Sequence, residues 1–225
     1  MSRSGKVLVA MSGGIDSTVV ALMLHQQGFE VIGITMKTWD YATAGGSKKE
    51  TGCCNLDSFN DARAAAVQHG FPHYIIDIRE EFGDAVIENF IEEYMAGRTP
   101  NPCVMCNTHI KWRALLKRAN ALNCDFIATG HYANIRDEKN RFIISKGKDE
   151  TKDQSYVLWG LEQDLLSRTL LPLGNYRKTE IRQMAMDFGY PELEKKSESY
   201  EICFVPDNDY RGFLKRNVEG IDDKL

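Results

Sequence analysis

Residues 6–24 read KVLVAMSGGIDSTVVALML, and this stretch decides the fold class. Its apolar run at 6–11 predicts a strand, and the Gly-Gly pair after it predicts a turn. The apolar pattern at 17–27, which stops at Gly28, predicts a helix. A strand that leads through a glycine turn into a helix is typical of the unit from which parallel α/β sheets are built.

The same alternation continues to about residue 130. Strands are predicted at 30–36, 73–78 and 125–129, and helices at 55–70, 82–96 and 108–122. Strictly alternating strands and helices predict an α/β fold, in which a twisted parallel sheet carries helices on both faces. Such sheets bind ligands at the carboxyl ends of their strands, where the strand order reverses.

The character of the chain changes after residue 130. A hairpin at 132–136 and 141–146, a helix at 178–188 and a polar loop at 192–200 are predicted there. We expect a second, smaller unit to begin near Arg168. The predicted division assigns 1–168 to the main domain, to which 191–208 return, and 169–190 and 209–225 to part of the second domain.

Composition excludes several classes of protein. The 225 residues are 43% apolar, which is enough to build a core and excludes a disordered chain. The apolar run at 7–11 is too short for a signal segment or a membrane span. Six cysteines without an export signal indicate a reducing compartment, the cytoplasm, rather than a disulfide framework. The net charge of −4 gives no hint of a nucleic-acid partner.

The loop between the first strand and the first helix reads MSGGIDS. Gly13 and Gly14 lack a Cβ, so their backbone N–H groups can lie against phosphate oxygens, and Ser12 and Ser17 offer hydroxyl donors. The following helix would point its positive end at the same place. Asp16 does not suit a bare anion, so Mg²⁺ bridging it to phosphates is the natural inference. The alternative is a plain turn with Asp16 or Ser17 as the helix N-cap.

The competing nucleotide-binding motifs are absent from this loop. It contains neither G-x-x-x-x-G-K-[ST] nor G-x-G-x-x-G. The string S-G-G-x-D-S after a first strand resembles the loop of the ATP pyrophosphatases. Members of that superfamily cleave ATP between its α- and β-phosphates and adenylate a carbonyl-type oxygen, so the resemblance implies an ATP site.

The second informative segment reads GRTPNPCVMCNTHIKW. Cys106 is predicted to lie just ahead of a helix capped by Asn107 or Thr108, and a thiol at a helix N-terminus has a lowered pKa. Residues 94–124 contain five Lys and Arg and no carboxylate, whereas 77–93 contain seven carboxylates and one Arg. The basic stretch around the thiol suits an anionic polymer.

The other cysteines allow several interpretations. Cys203 lies in EICFV, far away in sequence. Cys103 and Cys106 have the spacing of half a zinc site, but a second C-x-x-C is absent. Cys124 precedes a strand and is best interpreted as a small hydrophobe. The thiols left unassigned are Cys53 and Cys54.

Several blocks together resemble the tRNA-specific 2-thiouridylases, which sulfurate C2 of the wobble uridine in tRNA. These blocks are SGGIDS (12–17), Met36, GRTPNPCVMCN (97–107), ATGHYA (128–133), KDQSY (152–156) and EICF around Cys203. They run in order through nearly the whole chain. The resemblance implies a sheet of the adenine nucleotide alpha hydrolase type.

The resemblance also implies how ATP is used. ATP would activate the uridine C2 oxygen by adenylation, with Mg²⁺ at Asp16. The implied nucleotide-binding residues are Ala10, Met11, Ser12, Gly13, Gly14, Ile15, Asp16 and Ser17, with Met36 and Gly130 near the adenine or ribose.

For sulfur transfer, the resemblance implies that Cys203 carries a persulfide and that Cys106 is the paired catalytic thiol, and the two can end as a disulfide. The implied partners are the tRNA anticodon loop and a sulfur-relay protein or cysteine desulfurase. Without the resemblance, His131 would be interpreted as a histidine of a turn, and the Lys-Asp-Gln triplet as solvent-exposed polar residues of a surface loop. The implied tRNA contacts are Asn101, Pro102 and Cys103 at the target base, and His131, Lys152, Asp153 and Gln154 elsewhere.

One position departs from the family pattern. Many relatives have Asp where this chain has Cys103, and a thiol cannot simply replace that carboxylate as an acid/base group. Cys103, Cys106 and Cys203 instead form a possible three-thiolate frame for a [4Fe–4S] cluster, and this alternative stays open beside the persulfide route.

Two further functional alternatives stay open. One is another adenylating tRNA-modifying enzyme of the same superfamily, and the other is a non-catalytic nucleotide-binding module. Family members usually continue into a β-barrel domain that helps to hold the tRNA, and this sequence ends before one. We therefore expect the 225 residues to bind ATP better than they thiolate tRNA.

Overall fold

The computed structural model describes residues 5–39, 56–194, 202–205 and 207–218. The predictions for Cys53 and Cys54, and for much of the loop at 192–200, lie outside these residues. The described strands are β1 Lys6–Ala10, β2 Glu30–Lys37, β3 His73–Asp77, β4 Phe126–Ala128, β5 Ala133–Glu138, β6 Arg141–Lys146 and β7 Thr169–Leu170.

Five of these strands form one parallel sheet in the order β3-β2-β1-β4-β7. The chain moves outward from β1 through β2 to β3, and then returns to the other side of β1 with β4. The strand order therefore reverses between β1 and β4, which is where an open α/β sheet forms a ligand crevice. The predicted parallel sheet is confirmed.

Helices cover both faces of this sheet. Along β1, Val7 and Val9 pack against one hydrophobic cluster and Leu8 packs against the other, as the two-residue period of a strand requires. The helices are α1 Ile15–Gln26, α2 Leu56–His69, α3 Arg79–Phe82, α4 Glu88–Met95, α5 Pro102–Met105, α6 Trp112–Ala121, α7 Gln163–Ser167, α8 Lys178–Asp187, α9 Pro191–Glu194 and α10 Tyr210–Asn217.

Two predicted helices begin earlier than expected. A π-helical stretch, Gly83–Ile87, joins α3 to α4, and another, Cys106–Lys111, joins α5 to α6. The second helical segment starts at Pro102 because Asn101 caps it and proline suits the first turn of a helix. Cys106 therefore lies within the helical segment, and its predicted position ahead of the helix is wrong.

The segment after Arg168 joins the main sheet and core. β7 pairs with β4, and Ile181 and Ala185 of α8 belong to the same cluster as β1 and α1. The sequence did not predict β7, because two residues are too short to show a period. A domain boundary at Arg168 would cut through this core. The predicted division into two domains therefore stays a prediction.

The predicted hairpin is confirmed as a separate two-stranded antiparallel sheet of β5 and β6. Its turn consists of Lys139 and Asn140, whose φ angles are +53° and +65°. A third cluster, which includes Trp112 and Leu158, has Phe142 and Ile144 of β6 packed against it. Among the described residues, no helix is long and apolar enough to cross a membrane.

Candidate active site at the glycine loop

A cleft of about 200 Å³ opens at the carboxyl ends of β1, β2 and β4, beside the point where the strand order reverses. It brings together residues predicted to bind the nucleotide and residues predicted to contact RNA. The lining residues are Ala10, Met11, Ser12, Asp16, Ser17, Thr35, Met36, Thr38, Lys111, Thr129, Gly130, His131 and Gln154.

Some predicted site residues lie elsewhere. Ile15 is buried in the core cluster under α1, so its side chain serves packing. The other predicted residues that do not line this cleft are Gly13 and Gly14, Asn101 to Cys103, Cys106, Lys152, Asp153 and Cys203. Their roles stay predictions.

Gly13 is the residue at which the loop requires glycine. Its φ is +71°, and a Cβ at this position would collide with the backbone carbonyl of Ser58 in α2. The loop therefore lies directly against the first turn of α2. Gly130 makes a similar approach from β4, since a Cβ there would lie 3.1 Å from the Asp16 Cβ and from the Ser17 nitrogen.

The loop is closed by its own serines. Gly14 is the N-cap of α1 and makes no side-chain cap, so the alternative in which Asp16 or Ser17 caps the helix is wrong. The Ser17 hydroxyl accepts from the Ser12 N–H at 3.0 Å and lies 3.3 Å from the Gly14 carbonyl, to which it donates. Asp16 and Ser17 line the cleft, so the N-terminus of the 12-residue α1 opens into it.

Asp16 is held by Lys178, a residue that sequence reasoning missed. The Lys178 ammonium donates to both carboxylate oxygens of Asp16, at 2.8 and 2.7 Å, and the Tyr132 hydroxyl donates to one of them at 2.7 Å. The ammonium also lies 5.7 Å from the centre of the Tyr132 ring. The Lys178 side chain is 9% exposed, so a buried cation from α8 stands beside the glycine loop.

A second network fixes the end of β1. The Thr35 hydroxyl donates to the Met11 carbonyl at 2.7 Å. Because a hydroxyl has one hydrogen, the contact of 2.8 Å between Thr35 Oγ1 and His73 Nε2 requires the imidazole to donate. Burial, and to a lesser extent Arg63, lowers the pKa of His73. Thr35 was also missed, because nothing in the sequence distinguishes it from other strand threonines.

His131 lies on the opposite wall of the cleft. Its Nδ1 lies 2.8 Å from the Thr129 hydroxyl, and its ring centre lies 5.4 Å from that of Trp112. Burial, with a smaller contribution from Lys111, lowers the pKa of His131 to about 3. The imidazole is therefore neutral at physiological pH and can donate or accept a hydrogen bond there.

The Lys-Asp-Gln triplet is tied to the hairpin rather than free in solvent. The Gln154 N–H donates to the Tyr132 carbonyl at 2.9 Å, and the Gln154 amide oxygen accepts from the Tyr132 N–H at 3.1 Å. Asp153 accepts from the Gly147 N–H at 2.9 Å and from the Ser155 hydroxyl at 2.7 Å. These bonds bring Gln154 to the cleft, and Lys152 is half-buried beside it.

The two predicted catalytic thiols share one hydrophobic cluster. Cys106 is buried within it, and Cys203 packs against it. Cys103 is exposed in the first turn of α5, where the Asn101 side chain accepts from the Val104 N–H at 3.2 Å. Cys106 lies in the second turn of the helical segment that begins at Pro102, and not at its N-terminus. The position of Cys106 in the helix therefore gives no reason to expect a reactive thiol.

Among the residues that the structure describes, no group of three His, Cys, Asp or Glu side chains could hold a metal ion. Cys103, Cys106 and Cys203 are all described. The structure therefore does not bring these three thiols together as the frame that an iron–sulfur cluster would need.

Comparison with known proteins gives a family match over most of the chain. A family model described as the tRNA methyl transferase HUP domain matches residues 5–207. A tRNA-specific 2-thiouridylase of Cytophaga hutchinsonii is 70% identical over 225 residues, which are 100% of this chain and 61% of that protein. The 2-thiouridylase of Amoebophilus asiaticus is 68% identical over 99% of this chain and 59% of its own length.

The chain thus spans about three fifths of the length of these curated relatives. Among solved structures, a 4-thiouridine synthetase in complex with RNA and ATP aligns with a TM-score of 0.56 and 20% identity. The alignment covers 95% of this chain and 50% of that one, and it shows a shared fold.

Proposed function

The chain belongs to the tRNA methyl transferase HUP domain family, and on that premise we propose that it thiolates C2 of the wobble uridine in tRNA with ATP. One observation carries this proposal. A single cleft is lined both by residues of the predicted nucleotide site, such as Ser12 and Met36, and by residues predicted to contact RNA, such as His131 and Gln154. Adenylation of an RNA base needs the ATP phosphates and the base in one cavity.

The family description names methyl transfer, whereas the curated relatives are named 2-thiouridylases. The cleft favours the second activity. The N-terminus of α1 opens into it and Lys178 stands beside it, which together make a site for a polyphosphate. We therefore propose that the chain activates its substrate with ATP.

In the proposed reaction, the glycine loop holds the ATP phosphates while Met36 and Gly130 contact the adenosine. The uridine C2 oxygen attacks the α-phosphorus, and pyrophosphate leaves with the electrons of the broken P–O bond. The adenylated oxygen is then a good leaving group, because it departs from C2 as AMP. We propose that His131, neutral at physiological pH, hydrogen-bonds the base without adding charge.

Sulfur is then delivered by the two thiols that share the cluster beneath the sheet. The terminal sulfur of a persulfide on Cys203 attacks C2, and AMP leaves. The Cys106 thiolate next attacks the Cys203 sulfur, which breaks the S–S bond, releases the 2-thiouridine and leaves a Cys106–Cys203 disulfide. A reductant of the dithiol class must restore both thiols before the next cycle.

Magnesium would accompany this ATP, but the residues do not form a ready metal site. Both Asp16 oxygens accept from Lys178, so a metal at Asp16 would have to share the carboxylate with that ammonium at close range. We therefore propose that Mg²⁺ enters on the ATP phosphates, and no step above depends on it. The persulfide route is preferred to the iron–sulfur route because the described thiols form no group of three ligands.

The proposed partners are the anticodon loop of tRNA and a sulfur-relay protein or cysteine desulfurase. The exposed basic residues Arg113, Lys117 and Arg118 of α6 suit the RNA phosphates. We propose a cytoplasmic location, since the thiols must be reduced between cycles.

The deciding experiment is mass analysis of nucleosides from tRNA incubated with the protein, ATP and a cysteine desulfurase with free cysteine, which supplies sulfur already at the persulfide level, together with pyrophosphate release. We expect 2-thiouridine and pyrophosphate release that depends on added tRNA. A methylated nucleoside without ATP consumption would refute the proposal. Pyrophosphate release with a different modified base would indicate another adenylating enzyme, and its absence would indicate a non-catalytic module. One or more irons per chain after anaerobic reconstitution would restore the cluster route.

A further inference from the structure

The turn that follows the Lys-Asp-Gln triplet exposes two large aromatic rings. The 3₁₀ turn Ser155–Leu158 is followed directly by Trp159. Tyr156 is 58% exposed and Trp159 is 73% exposed, the latter the highest value among the large hydrophobic residues described. Residues three apart in a 3₁₀ turn lie on the same side, so the two rings face solvent together.

These rings stand on a rigid base. Their neighbours Val157 and Leu158 are buried in the cluster that contains Trp112. A Cβ at Gly160 would collide with the Thr108 side chain, so the backbone after Trp159 lies directly on the helical segment that carries Cys106. The exposure of the rings is therefore a property of a packed turn, and not of a loose loop.

The surroundings of the two rings match unpaired RNA. Gln154, two residues before Tyr156, lines the cleft, and the turn packs against α5 and against the π-helical stretch that follows α5. The sequence of that support contains Lys111 and no carboxylate. Lys111 lines the cleft, Arg113 is exposed, and the sequence has no carboxylate from residue 94 to 124. Glu162, at 3.9 Å, is the acidic partner that reaches Arg113.

We propose that Tyr156 and Trp159 form a stacking platform for unpaired bases of an RNA loop, beside the base that enters the cleft. Exposed aromatic rings next to a basic surface bind single-stranded nucleic acid because every base has a face on which to stack. A stacked neighbour would hold the loop open while the target base is turned into the cleft. This inference rests on the proposed RNA substrate and assigns two residues to its recognition.

The test measures binding of a fluorescein-labelled anticodon stem-loop RNA by anisotropy. Trp159→Ala and Tyr156→Ala should each weaken binding roughly tenfold or more, while Trp159→Phe retains most of it. Tyr74→Ala is the matched control, because Tyr74 is 49% exposed on β3 at the other edge of the sheet. A blunt duplex of the same stem should bind equally to all variants.

Fluorescence gives a second readout that a purely structural role would not change. Of the three tryptophans, Trp112 is 0% exposed and Trp39 is half-buried, so quenching by the loop RNA should come from Trp159 and vanish in Trp159→Phe. Unchanged RNA binding by Trp159→Ala and Tyr156→Ala would overturn the platform but not the proposed function. The same conclusion would follow if these variants bound RNA normally but no longer accepted sulfur from a protein donor. Failure of the unsubstituted protein to bind RNA would overturn the proposed function as well.

Discussion

The glycine-loop cleft and the cysteine region are assembled in different ways. In the cleft, one contiguous loop closes on itself through Ser12 and Ser17, and the long-range ion pair between Lys178 and Asp16 completes it. In the cysteine region, Cys106 and Cys203 come from segments far apart in sequence, and both pack in the same apolar cluster. The Phe204 ring, next to Cys203, packs edge-on against Phe90 at 5.2 Å.

This difference implies that the two proposed half-reactions can be separated. Hydrogen bonds and close backbone contacts hold the glycine loop in place, whereas aromatic packing of Phe204 holds the segment that carries Cys203. A change at a thiol should therefore leave the nucleotide loop intact. A change at the loop should remove adenylation and everything that follows from it.

The largest expected effect comes from removing either thiol. Cys106→Ser and Cys203→Ser should each bring tRNA thiolation below detection, because a hydroxyl can neither carry a persulfide nor form the disulfide. ATP binding and tRNA-dependent pyrophosphate release should stay within about twofold of the unsubstituted protein, since both residues lie outside the cleft lining. Nucleoside mass analysis and a pyrophosphate assay measure the two activities separately.

Cys124→Ala is the matched control for these variants. Burial raises the pKa of the Cys124 thiol, and the residue packs between α6 and β4, so its loss should leave thiolation nearly unchanged. Thiolation that persists in Cys106→Ser or Cys203→Ser would contradict the two-thiol scheme. Equal loss of both activities would contradict the separation of the two regions.

The next effect tests the ion pair that completes the cleft. Lys178→Met should weaken ATP binding by roughly 10- to 100-fold, because a charged hydrogen-bond donor is lost and the Asp16 carboxylate is left facing the phosphates. Titration calorimetry with ATP measures the change. Lys148→Met is the control. Lys148 is an exposed lysine that pairs with Glu180, and Glu180 lies on α8, the helix that also carries Lys178.

A double variant shows whether Asp16 and Lys178 act as a pair. Adding Asp16→Asn to Lys178→Met removes the unpaired carboxylate and should recover part of the lost ATP affinity. Fully additive losses would show that the pair has no joint role. Normal ATP binding by Lys178→Met alone would contradict the assignment of its charge to the phosphates.

The same contrast explains which features the sequence could predict. The sheet, the glycine turn and α1 depend on local periodicity and on glycine chemistry, so they were predicted to within a few residues. Lys178 was missed, because only the folded chain brings α8 against α1. The helix start at Pro102 was missed because the fixed backbone angle of proline suits a first helical turn as well as a loop.

The last comparison separates two costs of replacing a left-handed glycine, using Gly13 in the glycine loop and Gly70 at the end of α2. Gly13 and Gly70 have nearly the same φ, +71° and +73°, but a Cβ at Gly13 would collide with Ser58 whereas a Cβ at Gly70 would meet nothing within 4 Å. Gly70→Ala should therefore cost only the strain of a left-handed residue, about 1–2 kcal/mol. Gly13→Ala should cost about 1–3 kcal/mol more, because a rigid backbone must move.

Urea unfolding measures both costs, and ATP titration shows where each one acts. Gly70→Ala should bind ATP normally, because Gly70 lies at the far end of α2 from Ser58. Gly13→Ala should lose ATP affinity even where it is folded, because relief of the collision moves the loop away from α2 and changes the start of α1. Equal stability losses with normal ATP binding in both variants would mean that the loop has room to adjust. The close contact with α2 would then play no part in shaping the nucleotide site.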